Sequence, residues 1–153
     1  MKKILIIITC LCLLTACKTK ENESEKTYNS YIEELKNVEN EKVNENLTVK
    51  FIIEKLDNNY LSYNVLIDKN DLVMNEVEAL LIHNKQSVNS FPSIGIFDKK
   101  ISLNESTKKG IKLGGYLERV ENATFKLLVK YKNKEGKNEK YYYIYKFHQN
   151  LTK

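Results

Sequence analysis

The stretch Asn122-Ala123-Thr124-Phe125-Lys126-Leu127-Leu128-Val129-Lys130-Tyr131-Lys132 decides the fold. Ala123, Phe125, Leu127, Val129 and Tyr131 fall at every second position, with Thr124, Lys126, Lys130 and Lys132 between them. Successive side chains of a strand point to opposite sides, so this stretch is a strand with one apolar and one polar face. Lys134-Glu135-Gly136-Lys137 follows as a compact turn, and Tyr141 to His148 returns as a second strand. The two form an antiparallel hairpin.

Upstream, Lys109 to Glu118 carries Ile111, Leu113 and then Gly114-Gly115, where residues without a Cβ suit a bend or bulge. Ile94 and Ile96, after Pro92, make a short strand at an edge or strand start, and Asp98-Lys99-Lys100 turns the chain towards Ile101 and Leu103. Glu76 to His83 is a further strand, although its Ala79-Leu80-Leu81 centre fits a helix equally well. Val49, Phe51 and Ile53 alternate with Lys50, Ile52 and Glu54, Asp57-Asn58-Asn59 offers a turn, and Tyr60 to Ile67 completes another hairpin. About seven strands in roughly 105 residues predict a mainly β chain, a single antiparallel β-sandwich over 47–153. The segment resembles the immunoglobulin-like sandwiches of exported bacterial lipoproteins, but has no tryptophan and no core cysteine to build their Cys-Trp-Cys centre.

Ahead of the strands, Tyr28, Tyr31, Ile32, Leu35 and Val38 recur at offsets of three and four, which predicts a short amphipathic helix over about 28–40. Residues 18–27 hold almost no apolar side chains and read as a flexible tether. Further back, Lys2 and Lys3 precede an apolar run from Ile4 to Leu14, too short to span a bilayer, and small residues close it. Its end, Leu14-Thr15-Ala16-Cys17, resembles the lipobox of bacterial lipoproteins. The resemblance implies a signal peptide over 1–16, cleavage between Ala16 and Cys17, and acylation of Cys17. The mature chain would then be held on the extracytoplasmic face of the cell membrane. Each buried methylene contributes about 0.8 kcal/mol, so two or more acyl chains anchor stably where one does not. The expected organisation is thus signal peptide 1–16, lipidated cysteine with tether and helix 17–46, and sandwich 47–153.

All three cysteines, Cys10, Cys12 and Cys17, lie in this leader region, so the sandwich must stand on its apolar core without disulfides. The formal charge is +5, and losing Lys2 and Lys3 with the signal leaves +3, too mild an excess to argue for nucleic acid. Arg119 is the single arginine among 25 basic residues, and Asn and Ile are frequent. With the lipobox, that composition suggests an AT-rich, low-GC Gram-positive source. A monomer is expected.

No catalytic constellation emerges. His83 and His148 are far apart and expected as strand-end surface residues, without metal-ligand spacing. Ser87, Ser90, Ser93 and Ser102 have no nucleophile elbow around them. Gly114-Gly115 lacks the remainder of a phosphate loop. Glu33-Glu34 belongs to the helix surface, and Glu76 and Glu78 share one face of a strand. The expected protein is therefore not an enzyme and takes no cofactor or metal. Tyrosine stands out instead: Tyr141, Tyr143, Tyr145 and Phe147 share one face of the last strand, and Tyr142, Ile144 and His148 the other. One face enters the sandwich, and Tyr142, Tyr143, Tyr145 and His148 are the candidates for meeting a protein partner. If that strand is an edge, a partner can also add a strand to it. An acyl anchor, polar tether and compact β-domain resemble small immunity lipoproteins, which neutralise a secreted antibacterial toxin such as a type VII-secreted lipase. They also resemble accessory lipoproteins of secretion systems. A small-ligand or envelope-binding lipoprotein is the other expectation kept open.

Overall fold

A computed structural model describes residues 23–57, 59–85, 94–104 and 109–149. The leader with Ala16 and Cys17, the start of the tether, Asn58, Pro92 and Ser87, Ser90 and Ser93 lie outside these residues. The elements are helix α1 (Glu23–Asn37) and strands β1 (Thr48–Lys55), β2 (Tyr60–Asp68), β3 (Asn75–His83), β4 (Ile94–Ile101), β5 (Gly110–Glu118), β6 (Asn122–Lys132) and β7 (Asn138–His148). All pairings are antiparallel, in one sheet of order β1-β2-β5 and a second of order β4-β3-β6-β7. The chain crosses between sheets after β2, β4 and β5, a Greek-key β-sandwich of immunoglobulin-like order with β4 paired to β3.

Between the sheets the alternation of β6 is met by that of its neighbours. Leu61, Tyr63, Val65 and Ile67 of β2 face Val77, Ala79 and Leu81 of β3 and Phe125, Leu127 and Val129 of β6 in one buried cluster. Where an immunoglobulin domain carries its disulfide and tryptophan, this core carries rings: Phe125 lies 5.2 Å from Tyr63, 5.5 Å from His83 and 6.3 Å from Phe51. Such tilted ring pairs add specific attraction to the burial of area.

Several expectations need correcting. His83 is buried, not at the surface: its Nδ1 accepts from the Lys85 amide at 3.2 Å, and its ring stands edge-on to Tyr63. Nδ1 being the acceptor puts the proton on Nε2, which is buried without a partner among the described residues. Gly114-Gly115 is no bulge, because β2 and β5 hold one unbroken register from Tyr60↔Glu118 to Asp68↔Gly110. Gly114 is instead small because a Cβ there would sit 2.7 Å from the Asn64 side-chain oxygen. Asp98-Lys99-Lys100 lies inside β4, where the partner of β3 jumps from Ile96 to Ile101 while β3 moves only from Ala79 to Val77. The extra residues make a bulge where a turn was expected. Helix α1 begins at Glu23, inside the stretch read as tether, and ends at Asn37.

The ambiguity of Glu76 to His83 has a physical cause. β3 is buried on both sides: Ala79 and Leu81 face the sandwich, while Leu80 and Ile82 join a second cluster with Leu128 of β6 and Tyr31, Ile32 and Leu35 of α1. A strand covered on both faces loses its alternation and reads as a continuous apolar run.

Candidate functional site

The two outer sheet faces differ completely. That of the four-stranded sheet is closed by α1. Burying Ile32 and Leu35 contributes about 2 kcal/mol each, which outweighs the marginal stability of a short helix alone in water. Polar contacts then fix the helix in place. The Tyr31 phenol donates to Glu78 at 2.6 Å, and Lys130 donates to the same carboxylate at 2.8 Å and to the Tyr31 oxygen at 2.9 Å. Glu34 accepts from Lys140 at 2.7 Å and from the Tyr142 phenol. Lys126 donates at 2.7 Å to the carbonyl of Lys36 in the last turn, where a cation meets the negative end of the helix dipole. Burial alone would raise the Glu34 carboxyl, but the bonds from Lys140 and Tyr142 win and hold it below the usual range. Burial, and then the bond to Glu34, push the Tyr142 phenol up to about 12.

The chain leaving α1 then closes the β7 edge. Lys42 and Tyr142 exchange backbone bonds, with N–H to O distances of 3.0 and 2.8 Å, and the Glu41 carboxylate accepts from the Ile144 amide at 2.7 Å. β7 is an edge strand, the condition on which strand addition by a partner depended, yet its middle already carries a partner from its own chain.

These contacts place the four tyrosine-strand candidates. Tyr143 is 8 % exposed and faces the main core, where its oxygen accepts from the Asn44 amide. Tyr145 stacks on Phe51 at 4.9 Å, half-buried. Tyr142 is half-buried under α1, and of the four only His148 is exposed. The structure does not bring them together as one open patch.

The outer face of the three-stranded sheet is open, and sequence reasoning passed over it. The side chains of Lys50, Ile52 and Glu54 of β1, Tyr60, Ser62, Asn64 and Leu66 of β2, and Lys112, Tyr116 and Glu118 of β5 point away from the core. Ile52, Leu56, Tyr60 and Tyr116 are exposed large hydrophobics, Tyr116 most of all at 66 %. The β1–β2 turn holds Tyr60 in place: the Leu56 amide donates to the Tyr60 carbonyl at 3.0 Å, and Asp57 Oδ1 accepts from the amides of Asn59 and Tyr60. The signal available in sequence was Ile52, Leu66 and Tyr116 at positions that alternation assigns to solvent.

Among the described residues no cluster of His, Cys, Asp and Glu could hold a metal ion, and no helix is long and apolar enough to cross a membrane. No model of a known protein family matches the chain, and no curated protein matches it in sequence.

Proposed function

We propose that this protein is a lipid-anchored, non-enzymatic binding protein on the extracytoplasmic face of the cell membrane, and that it binds another protein. Its most specific form is an immunity role, in which a secreted antibacterial toxin is neutralised where it reaches the membrane. Anchoring rests on the lipobox around Cys17. The observation that carries the binding role is the asymmetry of the sandwich. One outer sheet face is buried under the chain's own helix, while the other exposes Tyr60, Tyr116, Ile52 and Leu56 together. Tyrosines on a rigid sheet offer large contact area with little side-chain entropy to lose, which suits them to protein interfaces.

The test uses the full chain, expressed with its own leader and extracted from membranes, as bait for secreted and membrane proteins of the source culture. Stoichiometric capture of a secreted toxin, with its activity suppressed and capture lost in a Tyr60→Ala/Tyr116→Ala variant, is the expected result. Capture of nothing, or capture indifferent to those tyrosines, overturns the binding reading. Mass analysis of the N-terminal peptide tests the anchor separately: an unmodified Cys17 thiol rules it out.

A further inference from the structure

We infer that the open face of the three-stranded sheet packs against the same face of a second copy of this chain. It shares with the proposed function only the reading of that face as a protein-binding surface, and it names a second copy of the chain, not a toxin, as the occupant.

The argument lies in the register. Each outward row crosses three strands: Thr48, Asp68 and Gly110; then Lys50, Leu66 and Lys112; then Ile52, Asn64 and Gly114; then Glu54, Ser62 and Tyr116. Tyr60 and Glu118 follow, with Leu56 beside them across the turn. Lys50 and Lys112 thus lie on one side of the Ile52 row, with Asp68 beyond them accepting from the Asn70 amide, and Glu54 and Glu118 lie on the other. Among the described residues none of these two lysines and two glutamates has an ion-pair partner.

Such a face is complementary to itself under one two-fold rotation. An axis across the strands along the Ile52-Asn64-Gly114 row sets Lys50 opposite the second copy's Glu54, and Glu54 opposite its Lys50. Lys112 then meets Tyr116, a cation near an aromatic ring. On the axis Ile52 meets Ile52, and Asn64 meets Asn64, whose amide offers both a donor and an acceptor to its twin. An axis along the strands instead sets Lys50 against Lys112, and like charges in register disfavour it. A two-fold interface needs this reciprocal matching of one patch with itself.

Size sets the strength. Five rows spaced two residues apart span about 27 Å and three strands about 10 Å, roughly 270 Å² a side, so the patch falls below the small end of specific interfaces. The pairing is weak in free solution. Confinement of both copies to one membrane raises their effective concentration, as linkage does for any weak pair.

Cysteine coupling in membranes of cells expressing the full chain reads the register directly. Ile52→Cys is expected to couple to itself, whereas Thr48→Cys and Leu56→Cys couple only when co-expressed. Lys50→Glu or Glu54→Lys alone, added to the Ile52→Cys chain, lowers coupling about tenfold. Co-expressing the two reversals restores it, because every contact across the axis is again of opposite charge. The restoration also shows that both variants fold. Absence of Ile52→Cys coupling, coupling indifferent to the reversals, or a mixture that fails to recover overturns the inference. If self-coupling fails while the tyrosine variant still loses a secreted partner, this inference falls and the proposed function stands. Restored self-coupling with no partner captured supports the inference and removes the immunity role.

Discussion

Tyr31 and Glu78, 47 positions apart in the chain, share a hydrogen bond of 2.6 Å that ties α1 to the centre of β3. Glu78 is 4 % exposed, and Lys130 of β6 supplies the countercharge that makes its burial tolerable. Burial, and then the bond to Glu78, push the Tyr31 phenol above its ordinary range. Burial would lower Lys130, yet its bonds to Glu78 and Tyr31 hold its ammonium above the ordinary lysine range. Tyr31 thus stays a neutral phenol and Lys130 an ammonium around neutral pH.

Removing the cation should cost more than removing the phenol. Lys130→Met removes the Lys130 countercharge from a buried carboxylate and is expected to destabilise by about 2–3 kcal/mol, less than for a wholly buried pair because the lysine is partly in water. Tyr31→Phe loses the bond to Glu78 and the one accepted from Lys130, yet leaves the ion pair in place, and should cost about 1–2 kcal/mol. Urea denaturation of the two variants decides it. Equal losses, or a larger loss for Tyr31→Phe, would contradict the assignment of Lys130 as the neutralising group.

The helix should be separable from the sandwich. Leu35 is fully buried, and Leu35→Ala is expected to cost about 2–4 kcal/mol of docking energy. Hydrogen exchange should then speed up over α1 and the Lys42 bridge while β2 and β6 stay protected. Uniform loss of protection throughout the chain would instead make the helix part of the main core's folding unit.

His83 gives acid sensitivity in a defined window. Burial lowers its imidazole below the usual 6.5. Below that pH the unfolded chain takes up a proton that the folded chain resists, so stability is full above about 6.5 and falls as the pH drops towards the folded value. Glu34 works in a lower window: its folded carboxyl lies below the ordinary 4.5, so its contribution is intact above that pH and is lost only as the pH falls through the folded value. Urea midpoints measured from about pH 7.5 to 5 should slope downward, and His83→Leu should flatten them. A slope unchanged by the substitution would place the titration elsewhere.

Two tyrosines should behave oppositely. Tyr142→Ala removes the bond to Glu34 and packing on α1, and is expected to lower stability by about 1–2 kcal/mol. Tyr116→Ala, at an exposed position, should stay within about 0.5 kcal/mol of the parent. Melting curves of the pair check both, and a destabilised Tyr116→Ala would mean that this ring is structural.

The strand pattern was readable because β2 and β5 each have one dry and one wet side, and every second residue of β6 is buried, so alternation maps directly onto burial. Reading failed where a second layer intervened. Leu80, Ile82 and Leu128 break the alternation because α1 lies over them, and Lys126 and Lys130, read as part of a polar face, hold that helix together with Lys140. His83 looked like a strand-end residue because sequence gives no sign that Tyr63 and Phe125 close around it from other strands. The partner surface was sought in the richest run of tyrosines. Aromatic density reports burial as readily as recognition, and the sandwich uses most of that run for its core.

The bridge from Lys42 to Tyr142 has a consequence for how the protein survives crowding. An uncovered β7 would present a row of free amides and carbonyls between aromatic side chains, a template on which unrelated chains could stack into fibres. Its middle is spent on the molecule's own N-terminal segment. A proteolytic cut near Asn46 would sever that guard from the sandwich, and its departure would open the β7 edge to strand addition by other chains.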